Sequence, residues 1–371
     1  MRWSYKLARV AGIDVRVHAT FFLLLAFVGF QGYAGSGTLG GALAGIGFIL
    51  TVFFIVVLHE YGHALAARRY GIPTRDITLL PIGGVARLER MPREPRQELV
   101  IALAGPAVNV VLALFLWLGL RLVGTPDPMA PADAGFFGRT LAQQLLSVNV
   151  WLAAFNMIPA FPMDGGRVLR AFLAQRSGDY AAATARAAAI GRSVALVLGF
   201  IGLVNPNYRM LVLIALFVWL AAAGEAGAVQ ESSALSGVPL EQVMITDVRT
   251  LAPHDSLGRA AELVLAGFQQ DFPVIEGGAV VGLLTRQDLV RALAAEGAGA
   301  PVGGVMRREF PVAEPGERVE DALARLAGAG ADAMPVVRGR TLLGVLTREN
   351  VGEYLMIRTA LMQARRGAAT A

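Results

Sequence analysis

Apolar residues in this chain gather into long runs up to about residue 230, and thereafter alternate with polar ones over short segments. The first run, Thr20 to Phe30, is rich in Phe, Leu, Ala and Val and follows a basic stretch containing Arg2, Lys6, Arg9 and Arg16. Such a start also suits a signal peptide, but an uncleaved first helix fits the later topology without adjustment. The second run, Gly41 to Ala67, makes a helix about 40 Å long, enough to cross a bilayer with tilt. Further runs cover residues 98–121, 141–159, 186–204 and 209–228. The pattern predicts a multi-domain chain: a polytopic α-helical membrane domain of about six transmembrane helices, followed by a soluble α/β region. The fourth helix has room to end in an irregular segment.

The soluble region repeats itself. Val243-Met244 recurs as Val305-Met306, Pro273-Val274 as Pro335-Val336, Gly282 as Gly344, and Thr285-Arg286 as Thr347-Arg348, at a constant offset of 62 residues. Each copy reads as helix, strand, strand, helix. In the first, Ser256 to Ala266 and Gln287 to Ala295 are the helices, and Val274-Ile275 and Val280 to Leu284 the strands. The repeat closely resembles a pair of cystathionine-β-synthase (CBS) domains. The expected organisation is a transmembrane domain over 1–230, a linker over 231–242, CBS copies over 243–297 and 305–357, and a tail over 358–371.

Charged residues are only 16% of the chain, against about 25% in soluble domains, and the deficit falls within residues 18–230. Lys6 is the sole lysine, and there is no cysteine. Disulfides, thiolate metal sites and cysteine nucleophiles are therefore excluded. The arginines flank apolar runs, so membrane topology accounts for the basic balance and no nucleic-acid partner is expected. Arg68, Arg69, Arg75, Arg87, Arg90, Arg93 and Arg96 crowd the connection after the second run, and Arg167, Arg170 and Arg176 follow the fourth. Gln31 to Gly40 and Gly124 to Gly138 have no basic residue, the latter carrying Asp127 and Asp133. The positive-inside rule then predicts a multi-pass protein of the cell membrane with both termini and the soluble tail in the cytoplasm.

Inside the second run stands His59-Glu60-Tyr61-Gly62-His63. Histidines four apart project from one helix face and can share one zinc ion, while the glutamate is offset to act as base on the attacking water. Phe53 to Leu58 lead in and Ala64 to Ala67 lead out. His59 therefore lies about 14 Å up the helix from Arg68. Ionisable groups at that depth are costly and need a partner such as a metal. Catalytic zinc takes three protein ligands and leaves a position open. His18 and His254 are poorly placed, and the best third ligand is Asp164, beyond Pro159 and Pro162. Those prolines break the helix, so an irregular segment can carry Asp164 back to the site. The alternative is a helix-ending loop at the cytoplasmic surface.

HExxH in one apolar run and the pattern Asn156-x-x-Pro159-x-x-Pro162-x-Asp164-Gly165 in a later one resemble the site-2 protease family of intramembrane zinc metalloproteases. The likeness runs over residues 1–230, and with the tail it is to the subgroup bearing CBS domains. It implies one catalytic zinc ion on His59, His63 and Asp164, with Glu60 as base. Gly105-Pro106 with Asn109 is similar to the family's third-helix motif. Asn109 reads either as an interhelical hydrogen bond or as support for a zinc ligand. Asn156 is expected either to donate to the oxyanion or to cap or bridge helices. His18 reads as an interfacial histidine or as a gating one. Ile77 to Leu88 alternates like a re-entrant hairpin able to pair with an unwound substrate, a simple cytoplasmic loop being the other reading. The CBS resemblance implies an adenine nucleotide near Thr285, Asp288 and Thr347, or dimerisation without one. Asn350 stands where an aspartate is usual.

The expected activity is hydrolysis of peptide bonds in transmembrane or membrane-tethered substrates within the lipid bilayer, controlled from the CBS pair, in a chain that forms a homodimer through that pair. A metal transporter is the rival, but it wants ionisable groups spread across the membrane rather than clustered at one depth. A silent regulator would not keep both ligands and base.

Overall fold

A computed structural model describes all residues except 1–2, 90–91, 93, 126–127, 130–138, 268, 330 and 371. Arg2, Arg90, Arg93, Asp127 and Asp133 of the charge pattern lie outside the described residues. The described chain divides into two compact units, Met1–Val229 and Gln230–Ala371.

In the first unit the basic stretch does not lead straight into a helix. Its charged and apolar residues alternate, the period of a strand, and build β1 (Ser4–Val10) and β2 (Ile13–His18). Ala11 and Gly12 turn the hairpin with φ of 50° and 85°. His18 then caps α1 (Ala19–Ser36), its Nδ1 accepting from the Thr20 amide at 3.3 Å. This gives the histidine a structural task at the start of the helix. Thr38 caps α2 (Leu39–Arg69), which ends in Arg68 and Arg69, cations at the negative end of the helix dipole.

Beyond α2, the expected hairpin forms as β3 (Thr74–Leu80) and β4 (Gly83–Leu88). β3 runs parallel to β2, with Asp14 opposite Asp76, and antiparallel to β4, with Ile77 opposite Ala86. The order β1-β2-β3-β4 leaves β4 at an edge. Val17 and Leu79 press one face of this sheet onto Phe21 of α1 and Phe53 of α2. Burial would raise the Asp76 carboxyl, yet hydrogen bonds and charge from Arg87 hold it below its ordinary range, pinning β3 to β4.

Five more helices complete the unit with one connecting segment. α3 (Pro95–Leu122) starts on a proline, α4 (Leu141–Asn156) on a Thr140–Gln143 capping box. Residues 157–163 then turn, through a cis Phe161–Pro162 peptide, into α5 (Asp164–Ser177), followed by α6 (Tyr180–Val204) and α7 (Met210–Leu235). Five of the described helices, α1, α2, α3, α6 and α7, are long and apolar enough to cross a membrane. The sixth expected span is α4, whose 16 residues reach about 24 Å, short of a hydrocarbon core of about 30 Å. α5 had no counterpart among the apolar runs because it is a mixed, amphipathic helix.

The second unit folds each repeat as foreseen: α8 (Leu257–Ala266), β5 (Phe272–Glu276), β6 (Ala279–Leu284) and α9 (Arg286–Glu296), then α10 (Val319–Gly328), β7 (Ala333–Arg338), β8 (Thr341–Thr347) and α11 (Arg348–Thr370). The copies exchange strands. Ile245 of the first bridges Val345 of the second, and Arg307 of the second bridges Leu283 of the first. The repeated glycines and methionines meet across this exchange. A Cβ at Gly282 would lie 2.3 Å from Met306 Sδ, and one at Gly344 would lie 2.5 Å from the Ile245 carbonyl and 2.9 Å from Met244 Sδ. Methionine yields where a paired carbonyl does not. Gly344→Ala is therefore expected to destabilise the CBS pair by about 1–3 kcal/mol through overpacking, and Gly282→Ala by less. Hydrogen exchange over residues 240–356 in both variants checks the order.

Candidate metal centre

His59 and His63 stand one turn apart inside α2, and Asp164 is the first residue of α5; all three are buried. The two Nε2 atoms are 3.1 Å apart, and each lies 3.2 Å from Asp164 Oδ2. These three form the one cluster among the described residues able to hold a metal ion. Asp164 Oδ2 is buried with no hydrogen bond of its own, an orphan that a cation would satisfy. An edge of a tetrahedron is about 1.63 times its centre-to-corner distance, so this triangle sets donors about 1.9–2.0 Å from a common centre, close to zinc–nitrogen and zinc–oxygen lengths. The donor set of two imidazoles and a carboxylate also suits zinc.

The surrounding helices turn both imidazoles inward. His63 Nδ1 donates to the Ile101 carbonyl of α3 at 2.7 Å, which leaves its Nε2 lone pair toward the triangle. His59 is backed through two buried amides, Asn109 and Asn149. Asn149 Nδ2 donates to the Leu145 carbonyl at 2.9 Å, and its Oδ1 accepts from Asn109 Nδ2 at 3.0 Å. Asn109 Oδ1 then faces His59 Nδ1 at 2.6 Å and can only accept from it. The Nδ1 tautomer is thereby fixed and Nε2 is free to ligate. Asn109 thus supports a candidate ligand as well as bridging helices.

Two glycines make the close approach of α2 and α3 possible. A Cβ at Gly62 would lie 2.6 Å from the Ala104 carbonyl, and one at Gly105 would lie 2.2 Å from His63 Nε2 and 2.7 Å from His59 Nε2. The wall behind the triangle is a glycine because any side chain would fill it.

Glu60 points to the open side. Its Oε2 accepts from the Ala86 amide of β4 at 3.1 Å, and a Cβ at Gly84 would lie 2.8 Å from its Cγ. A cavity of about 350 Å³ holds His59, Glu60, His63 and Asp164 together with Asn156, Arg167 and Gly83 to Ala86. Asn156 thus reaches the site from the end of α4, whose closing hydrogen bonds come from the Met157 amide rather than from the Asn156 side chain. His18 and His254 lie outside this cavity.

Sequence reasoning missed Asn149 and Arg170. By sequence Arg170 groups with the loop arginines, but it is fully buried and bonds Glu98 of α3 and Glu225 of α7. The signal was present: a lone glutamate at the head of one apolar run and another inside a later one ask for a partner.

A second cavity, of about 410 Å³, lies within the CBS unit and is lined by Thr285, Arg286, Arg307, Asp332, Thr347 and Asn350 among others. Thr285 and Thr347 accept from the amides of Asp288 and Asn350, capping α9 and α11. Asp288 does not line the cavity. Burial would raise its carboxyl, but hydrogen bonds from Arg307 and Thr285 hold it below the ordinary range. Asn350 makes the same contact with its threonine, Thr347 Oγ1 lying 2.7 Å from Asn350 Oδ1.

Replacing Asn149 or Asn109 by Leu should weaken zinc binding by about 10–100-fold, the usual cost of losing the partner of a ligating histidine. Competition with a chromophoric chelator measures it.

The model of peptidase family M50 matches residues 47–140 and 130–200, and that of the CBS domain matches 240–295 and 302–356. The zinc metalloprotease MJ0392 of Methanocaldococcus jannaschii is 31% identical over 351 residues, 95% of this chain and 96% of that protein. The protein Rip3 of Mycobacterium tuberculosis is 30% identical over 379 residues, 96% of this chain and 93% of its own length. The solved site-2 protease from Methanocaldococcus jannaschii is 35% identical, with a TM-score of 0.45 over 60% of this chain and 95% of that one. Because it shares both units with relatives along nearly their whole length, the chain belongs to peptidase family M50 and is a multi-pass, site-2 protease-type zinc metalloprotease with a C-terminal CBS pair.

Proposed function

We propose that this protease hydrolyses peptide bonds in transmembrane or membrane-tethered proteins, with His59, His63 and Asp164 holding the zinc ion and Glu60 as the base. The observation that carries the reading is the buried triangle of donor atoms with a carboxylate opening onto the same cavity. Zinc, when bound, supplies Lewis-acid polarisation of a carbonyl and lowers the pKa of water. Glu60 keeps Oε2 on the Ala86 amide, which orients the carboxylate and leaves Oε1 to take the proton from water and return it to the leaving amine. Asn156, which lines the same cavity, would serve as donor to the oxyanion.

A helical peptide bond is shielded from attack, so the substrate must unwind locally. The Ala86 amide points off the outer edge of β4 toward Glu60, and a strand added to that edge would pass beside the base. Backbone pairing of this kind reads main chain rather than sequence. Orientation is part of the same reading. With Arg170 removed from the loop charges, Arg68, Arg69, Arg75, Arg87 and Arg96 still end or follow α2, and Arg167 and Arg176 still lie in α5, a distribution that supports cytoplasmic termini and a site in the cell membrane facing the cytoplasm.

In the CBS unit, two threonine-capped helix starts and three arginines at one cavity favour a phosphate-bearing ligand such as an adenine nucleotide. Regulation by that ligand and pairing of two copies through this unit complete the proposal; mass measurement in detergent tests the pairing.

Glu60→Gln is expected to lower cleavage by about 10²–10⁴-fold with zinc content unchanged, and membrane proteins accumulating in that strain identify the substrate. Wild-type cleavage by the variant would sink the mechanism. Equilibrium dialysis against ATP and AMP should show binding that Thr285→Ala and Thr347→Ala each weaken; no uptake at millimolar levels removes the nucleotide from the reading.

A further inference from the structure

The zinc ligands account for one polar cluster in the membrane unit. A second is buried beside it and takes no part in the chemistry. Arg170 is 0% exposed. Its Nε donates to Glu98 Oε1 at 2.8 Å and its Nη2 to the same oxygen, while Nη1 donates to Glu225 Oε1 at 2.5 Å. The guanidinium carbon lies 5.0 Å from the centre of the Phe161 ring and 4.9 Å from that of Tyr180, whose hydroxyl donates to Glu98 at 3.4 Å. One side chain on α5 thus engages α3, α6, α7 and the segment before Asp164.

Such a cluster is a poor way to hold a bundle together. Removing charges from water costs about as much as their pairing returns, and apolar side chains of similar volume usually serve as well. Here Glu98 Oε2 is also left without a hydrogen bond. What the cluster offers that apolar packing does not is a fixed position.

The position it fixes is that of Asp164. The two histidines take their places from α2 and α3, because Ile101 of α3 accepts from His63. The third donor comes from α5. Glu98 lies one turn before Ile101 on α3, and Arg170 lies on α5 with Asp164 at its start. The pair therefore ties the helix that orients His63 to the helix that carries the carboxylate. The start of α5 is already pressed on its approach: a Cβ at Gly165 would lie 2.4 Å from the Ile158 carbonyl, and one at Gly166 would lie 2.7 Å from the Phe161 amide nitrogen. Arg170 covers the Phe161 ring of that same segment. Segment and helix are held as one piece against α3.

We infer that Arg170, with Glu98 and Glu225, is a positioning residue that sets Asp164 against the histidine pair. The inference rests on the reading of His59, His63 and Asp164 as zinc ligands. Lysine keeps the charge but lacks the planar fork, so it cannot serve both carboxylates and stack on two rings.

Zinc affinity of the full chain in detergent, measured by chelator competition, provides the test, with the thermal midpoint of metal-free protein read in parallel. Arg170→Lys should bind zinc about 10-fold or more weakly, within the range seen when supporting groups of metal sites are lost. Glu225→Gln, which keeps an acceptor on a partly exposed residue, should show a smaller loss and serves if Arg170→Lys does not fold. Leu120→Ala, near the far end of α3, should lower the midpoint while leaving zinc affinity unchanged. Wild-type affinity in every folded Arg170 and Glu225 variant, or an equal loss in Leu120→Ala, overturns the inference. Absence of zinc binding in the wild-type chain would instead overturn the ligand reading beneath it.

Discussion

Where α2 crosses α3, Gly62 and Gly105 bring the two backbones closer than side chains would permit, and the histidine pair hangs from that contact. Ionisable groups buried in an apolar bundle are costly unless side chains or backbone satisfy them from within. Each imidazole is accordingly met twice: α3 takes the Nδ1 proton, through Ile101 for one ring and through Asn109 for the other, and the Nε2 atoms converge on the Asp164 carboxylate. Widening the crossing by one methyl group would break both backings and block the centre at once. The rest of the unit is arranged around this narrow gap. β4 covers Glu60, and the segment after α4 delivers the third donor.

How much of this could be read from the chain varies with the range of the interaction. The histidine pair was legible because its spacing and its depth are local properties of one helix. Asp164 was legible because Pro159 and Pro162 forbid a helix where the apolar run still continues. The hairpin Thr74–Leu88 showed its period. β1 and β2 were not seen, because Lys6, Arg9 and Arg16 satisfy a topology rule and a strand alternation equally well. α5 was passed over because its arginines and paired glycines look like a loop until Glu98 and Glu225 are known to meet Arg170. Asn149 acts only when α4 lies against α3, a contact that no local pattern announces.

The CBS unit shows the opposite case, in which a repeat states its own tertiary structure. A gapless offset of 62 residues places Ile245 and Arg307 at corresponding positions, and each crosses to the other copy's sheet. The recurring Gly and Met are the two sides of a single contact made twice. One difference between the copies bears on the cavity: Asp288 is drawn to Arg307, whereas its counterpart Asn350 lines the wall.

The triangle of donors also bears on which ion the chain can keep. Its two imidazole nitrogens and single carboxylate oxygen are a poor match for calcium and magnesium, which take oxygen ligands. Size and donor type do not separate zinc from cobalt or copper, which accept the same imidazoles and follow their own order of affinity. The donor set therefore disfavours whole classes of cation but leaves the choice among close neighbours to geometry and supply.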